Sequence, residues 1–524
     1  MRNRIGIVDL FAGPGGLGEG FSAFRTPDGI HPFSIEISVE KDRAAHATLL
    51  LRSFLRKFQD RFPAEYYAYL NGRCSEPNWS DLYPREWEAA TSEAQCLELG
   101  TRKVSRILSL RIGEIKKKYN RRTILIGGPP CQAYSVAHRP RNVNISANIL
   151  KKDRRIFLYK EYIKVLKKLE PMAFIMENVK GMLSFSLGKD MIFDKVEYGL
   201  GSAVGRGGYR LFALGQEEDM PDIGTNQDLR NYVVCMENYG IPQTRHRVII
   251  VGIRSDIAKS VDSSDILSLP CFDKQVRVKD VVETMPRLRS GLTRNDDVEE
   301  WKKTVISVSD MMRKKAGSLP TSFRKEFEDE IKRTYEIFLG NPPTKRVSTR
   351  GTRIPKSCPN ELREWLLDSE LRRLPNNETR SHMTKDLARY LFAAVFGRVT
   401  GKSPRAWEFP TFLAPEHKNW KSGDFADRFR VQVAIKPATT VISHIAKDGH
   451  YFIHPDPSQC RSLTVREAAR LQTFPDNYLF KGSRTEQYTQ VGNAVPPFLA
   501  YQIAKSLWNV LEGGATKKRR KSKG

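Results

Sequence analysis

Short continuous apolar runs, separated by longer stretches of helical periodicity, organise the first half of the chain. Runs of strand length fall at 5–10, 33–39, 123–126, 173–176, 232–236 and 248–253, and a helical pattern covers 156–169. Strands that are apolar throughout, rather than alternating, are buried on both faces, so the pattern predicts an α/β domain with a mostly parallel sheet covered by helices. The segment 45–122 is too long for one crossover and ends in the basic stretch TRKVSRILSLRIGEIKKKYNRR, which reads as an inserted helical region with a solvated face. From 256 to 460 the chain is charged, dotted with proline and irregular, which predicts a second, smaller domain. Order returns at 461, where Thr464 and Glu467 have capping-box spacing ahead of a helix. The expected organisation is a catalytic domain 1–255, an irregular domain 256–460, a return segment 461–511 and a disordered basic tail 512–524.

Composition adds a partner class. Lys and Arg total 87 against 60 Asp and Glu, a formal net charge of +27, which favours a polyanion such as nucleic acid. The seven cysteines show no CxxC pair and no regular spacing, so neither a disulfide framework nor a metal knuckle is expected. The start lacks the apolar core of a signal peptide, and no run reaches the roughly 20 apolar residues of a membrane span. An intracellular, soluble protein is expected.

Four strand ends carry chemistry. The first runs into Asp9-Leu-Phe-Ala-Gly-Pro-Gly-Gly16, where Gly13 and Gly15 allow a tight turn and close approach of a ligand. Phe11 at the strand tip can pack on a cofactor, and Glu40, ending the next strand, can meet ribose hydroxyls. A dinucleotide would fit this loop equally well, so an oxidoreductase is a rival at this point. The strand 123–126 leads into Gly-Gly-Pro-Pro-Cys131, where two prolines hold the backbone extended and present a thiol at the carboxyl edge of the sheet. The strand 173–176 ends at Glu177, placed to donate a proton. Arg245 and Arg247 in QTRHR alternate and would share one face, as two guanidinium forks for a base carbonyl or a phosphate.

In order along the chain, DLFAGPGG, GGPPCQAYS, DRRIFLY, MENV, QTRHR, RSLTVREAARLQTFPDNY and QVGNAVPP resemble the DNA cytosine-5 methyltransferases of bacterial restriction-modification systems. The resemblance spans residues 9 to 497. It implies a Rossmann-like class I methyltransferase sheet plus a target-recognition domain at 256–460. It also implies a catalytic set of Cys131 as nucleophile, Glu177 donating to or sharing a proton with N3, Arg247 holding the cytosine O2 and Arg245 helping to order the pocket. S-adenosylmethionine would lie against Phe11, Gly13, Gly15, Gly16, Glu40, Pro129, Leu158, Asn493 and Val495, and no metal is required. The segment from Ser135 to about Lys152, with Arg139 and Arg141, matches the loop that closes over a flipped base. The implied partner is double-stranded DNA, acted on by a monomer in the bacterial cytoplasm at the nucleoid, with a cognate restriction endonuclease reading the same sequence. RNA as the substrate, or a catalytically silent DNA-binding relative, are the alternatives. The acidic residue for the adenine amine is left open among Asp81, Glu98 and Glu114, and Cys235 stands where relatives often have Asn.

Overall fold

The computed structural model describes residues 4–59, 61–130, 154–187, 190–205, 207–214, 227–259, 267–415, 420 and 426–521. Cys131 and the segment 135–152 lie outside the described residues. The central sheet is built from β1 (Ile5–Leu10), β2 (Phe33–Glu40), β3 (Ala94–Cys96), β4 (Thr123–Gly127), β5 (Ala173–Val179), β6 (Tyr209–Ala213), β7 (Val233–Cys235) and β8 (His246–Arg254). Its order is β3-β2-β1-β4-β5-β8-β6, with β7 also paired to β8. The first five strands are parallel, and β8 runs antiparallel to β5, β6 and β7.

Burial on both faces explains the apolar runs. Ile5, Ile7, Ile124, Ile126, Ala173 and Ile175 enter one core, while Val8, Leu10, Leu125, Phe174 and Met176 enter the other. The two-residue period of a strand thus delivers alternate side chains to opposite cores. On the first face, α1 (Gly16–Ala23) packs against the final helix. On the second lie α3 (Arg102–Lys118), through Val104, Leu108, Ile112 and Ile115, and α4 (Tyr159–Leu169). The segment 45–122 is largely helical, with α2 (Arg43–Leu55) covering much of its start, and it also supplies β3. Three residues at the end of the sheet were too short to register as a run in the sequence.

The region 256–460 departs from expectation in two ways. It is largely helical, with α5 (Val298–Lys315), α6 (Arg324–Gly340) and α7 (Thr384–Thr400) around a core that includes Trp301, Phe327, Phe338, Tyr390 and Phe392. The buried positions of α5 are Trp301, Val305, Val308, Ser309 and Met312, a helical stripe set among lysines and acids. Parts of the same region, including Val278, Val281, Leu362, Ala438 and Val441, join the catalytic core instead. The return segment forms α8 (Val465–Leu471), with the expected capping box between Thr464 and Glu467, and α9 (Arg484–Asn493). It ends in α10 (Pro497–Lys521), which carries helical backbone into the stretch expected to be a disordered tail.

Candidate active site

β1 lies between β2 and β4, so the connections leaving β1 and β4 run to opposite sides and open a crevice at the carboxyl edge. The chain turns sharply there. Phe11 has φ 56°, Gly13 φ 56° and Gly15 φ 102°, left-handed values that cost a residue with a Cβ and are least costly for glycine. Gly13 N donates to Glu40 Oε2 at 2.9 Å, and Glu40 Oε1 accepts from Lys41 N and Asp42 N at 2.8 and 2.7 Å. Glu40 therefore shapes the glycine loop as well as facing the crevice. A Cβ on Gly16 would stand 2.2 Å from the Val495 carbonyl, so the glycine permits the return segment to close on the loop. Tyr478 completes the clamp, its hydroxyl donating to the Pro14 carbonyl at 2.5 Å.

A second group assembles where β4, β5 and β8 meet. Arg247 Nε lies 3.2 Å from Glu177 Oε1, with both side chains mostly buried. A Cβ on Gly128 would come within 2.9 Å of Glu177 Oε2, so the Gly-Gly-Pro-Pro segment runs directly against this carboxylate. Asn178 fixes that contact: its Nδ2 donates to the Pro129 carbonyl at 3.2 Å, and its Oδ1 accepts from Val179 N at 2.9 Å. Gly128 and Pro129, three and two residues before Cys131, therefore lie against Glu177 and Asn178. Asn178 was visible in the sequence only as part of MENV, without a role.

Arg245 departs from expectation. It falls between the bridge Gln243–Thr244 and β8, so the alternation that would align it with Arg247 is broken. Its guanidinium is buried and donates to the carbonyls of Val441 at 2.8 Å, Ala494 at 2.9 Å and Gly492 at 3.4 Å. Arg245 is a positioning residue that holds the return segment, not a fork aimed at a ligand. Gln243 and Gln472 share the work. Gln243 Nε2 donates to Leu471 O at 2.8 Å and Gln472 Nε2 to Val491 O at 2.6 Å. Val495 is thereby brought to Gly16, while Asn493 is exposed at the end of α9 and Leu158 stands half-buried at the start of α4.

The acidic candidates separate cleanly. Asp81 bonds locally with Asn78, and Glu114 pairs with Arg111 on α3. Glu98, two residues after β3 and 3.7 Å from Lys41 Nζ across an exposed ion pair, lines a cavity of about 600 Å³ with Lys41, Asp42, Cys96 and Leu97. Asp9, beneath the glycine loop, is fully buried, and neither carboxylate oxygen has a hydrogen-bond partner among the described residues. Burial pushes its carboxyl up to about 8, opposed by the nearby Arg56 charge and reinforced by Glu93 and Glu40.

Among the described residues, no helix is long and apolar enough to cross a membrane. Residues 105–509 match the family described as C-5 cytosine-specific DNA methylase. The chain is 30% identical over 530 residues to the type II methyltransferase M.Bpa9945I of Bacillus paralicheniformis, covering 97% of this chain and 99% of that one. It is 25% identical to M.AgeI of Thalassovita gelatinovora, covering 95% and 98%. A solved structure of a DNA modification methyltransferase described as encoded within an E. coli prophage shares the fold, with TM-score 0.51, 19% identity and coverage of 97% and 99%. A profile matched over most of the chain, relatives matched end to end and a sheet edge bearing Glu177 and Arg247 agree: this chain belongs to the C-5 cytosine-specific DNA methylases and is a DNA (cytosine-5-)-methyltransferase.

Proposed function

We propose that the enzyme methylates cytosine within one specific duplex sequence, using S-adenosylmethionine, and so protects DNA from a restriction endonuclease of the same specificity. The observation that carries the site assignment is the Glu177–Arg247 pair lying against Gly128, three residues before Cys131. The relatives' designation as type II methyltransferases supports the restriction-modification setting.

The crevice suits the cofactor. Among the described residues no atom lies within 4 Å of the position a Cβ would take on Gly13, leaving room beside the turn. Glu40 would meet the ribose, Glu98 the adenine amine, and Phe11, Gly15, Gly16, Pro129, Leu158, Asn493 and Val495 would complete the enclosure. Bound S-adenosylmethionine supplies an electrophilic methyl group on a sulfonium.

Carbon 5 of cytosine is a weak nucleophile. The Cys131 thiolate would add to C6 while Glu177 supplies a proton at N3, turning the ring into an enamine whose C5 attacks the methyl. Loss of the C5 proton to a base then expels the thiolate, and N3 returns its proton to Glu177, which restores aromaticity. Arg247, held by Glu177, would bind the O2 carbonyl. Because C5 and C6 are stacked in a duplex, the base must leave the helix, and the segment 135–152 would close over it.

The test is to express the chain and map 5-methylcytosine across the host genome, then present the identified sequence with 5-fluorocytosine at the target. Methylation in one sequence context and a denaturation-resistant adduct are expected. Absence of 5-methylcytosine would refute the activity, and methylation without an adduct would refute covalent addition.

A further inference from the structure

The pairing of β7 with β8 joins three side chains whose spacing in the chain gave no sign of a site. The register sets His246 directly opposite Cys235. Glu237 follows in the turn Met236–Tyr239, and its Oε1 lies 2.8 Å from His246 Nε2. Cys235 Sγ, a Glu237 carboxylate oxygen and a His246 ring nitrogen all fall within 4.8 Å of one another, the one such group found among the described residues.

An ordinary His–Glu ion pair accounts for only part of this arrangement. Glu237 is 7% exposed, and its second oxygen, Oε2, is buried without a hydrogen-bond partner among the described residues. A buried carboxylate oxygen left unpaired is unfavourable unless something else meets it. The third corner is a sulfur, which adds little to an ion pair but is a strong ligand for a transition metal as thiolate. Sulfur, imidazole and carboxylate together make a donor set suited to zinc, not to magnesium or calcium.

We propose that Cys235, Glu237 and His246 bind one divalent transition-metal ion, zinc above all, with water in the fourth position. The His246 side chain is 31% exposed, which leaves a path for that water. Tetrahedral zinc with bonds of ~2.0–2.3 Å sets its donors ~3.3–3.8 Å apart, so side-chain shifts of about 1 Å complete the site. On binding, Cys235 releases its thiol proton to solvent, and His246 presents the Nε2 lone pair with its ring proton on Nδ1.

The ion would act as a positioning element. Arg247 Nη1 donates to the His246 carbonyl at 2.8 Å, and Arg247 Nε pairs with Glu177. Fixing the His246 side chain from the far side of β8 would steady the backbone on which this guanidinium rests.

The experiment uses the full chain, stripped with a chelator and titrated with Zn²⁺ and with Co²⁺ in the absence of DNA. One ion per chain is expected, with a thiolate-to-cobalt charge-transfer band, and zinc should raise the unfolding temperature. Cys235→Ser and His246→Asn should each lose at least tenfold in affinity, whereas Cys131→Ser should keep the ion. In the unmutated chain, zinc should protect Cys235 from alkylation, read by mass spectrometry, which requires no variant to fold. Absence of stoichiometric binding, retention of the ion by both Cys235→Ser and His246→Asn, or its loss in Cys131→Ser alone would overturn the proposal. None of these readings depends on methyl transfer, so failure here is distinct from failure of the catalytic assignment.

Discussion

Arg247 and Glu177 are diagonal neighbours across the antiparallel pairing of β5 and β8, with Nε and Oε1 3.2 Å apart. Arg247 stands opposite Val179 and Glu177 opposite Ile249, so two residues of offset put both side chains on one face. Each neutralises the other in a place too enclosed for water to do so fully.

Replacing Arg247 with Ala should therefore do two things at once. It removes a group proposed to hold the base, and it leaves Glu177 unpaired, at a cost of about 2 kcal/mol in stability, less than for a fully buried pair. Adding Glu177→Gln should recover stability without recovering activity. A double-mutant cycle in urea, beside single-turnover methyl transfer, reads both effects; strictly additive stability losses would refute the coupling.

Cys131→Ser should abolish methyl transfer while S-adenosylmethionine affinity stays within a few-fold, because the lost atom is the one proposed to attack the base. Turnover near that of the unmutated enzyme would exclude the thiolate mechanism.

Arg245→Met should behave as a stability mutant. Its guanidinium holds the carbonyls of Val441, Gly492 and Ala494, and losing charged hydrogen bonds to buried carbonyls costs about 3 kcal/mol. The denaturation midpoint should fall, and activity per folded molecule should fall less than in Arg247→Ala. An unchanged midpoint with lost activity would return Arg245 to the catalytic set.

Glu98→Gln should weaken S-adenosylmethionine binding about tenfold, or ~1.4 kcal/mol. Asp81→Asn and Glu114→Gln, bound up with Asn78 and Arg111, should change it less than twofold. Calorimetric titration of the three variants decides the assignment.

Asp9 gives a pH signature. Burial lifts its carboxyl to about 8 from an ordinary 3.8, so its contribution to stability is complete below the ordinary value and is lost as pH rises through about 8. Asp9→Asn should therefore gain stability over the unmutated chain at pH 8 to 9, with the gain shrinking toward pH 5. Parallel stability curves across that range would refute the raised carboxyl.

Local chemistry was legible in the sequence. The run at 5–10 is β1 to the residue, the glycines at 13 and 15 take left-handed φ, and Thr464 caps α8 through Glu467. Each depends on neighbours a few positions away, which is why a single chain reveals it. The helices of 256–460 were obscured because a buried stripe such as Trp301, Val305 and Val308 is diluted by charged residues between its turns. The shared face expected of Arg245 and Arg247 assumed one unbroken strand, and the break after Thr244 turns Arg245 inward. The sequence by itself determined the family and the mostly parallel sheet. Tertiary structure decided which distant groups meet: Glu177 with Arg247, Gly16 with Val495, and Cys235 and Glu237 with His246. Those meetings follow from strand register and from burial of both sheet faces, which are set by the packing of the whole chain.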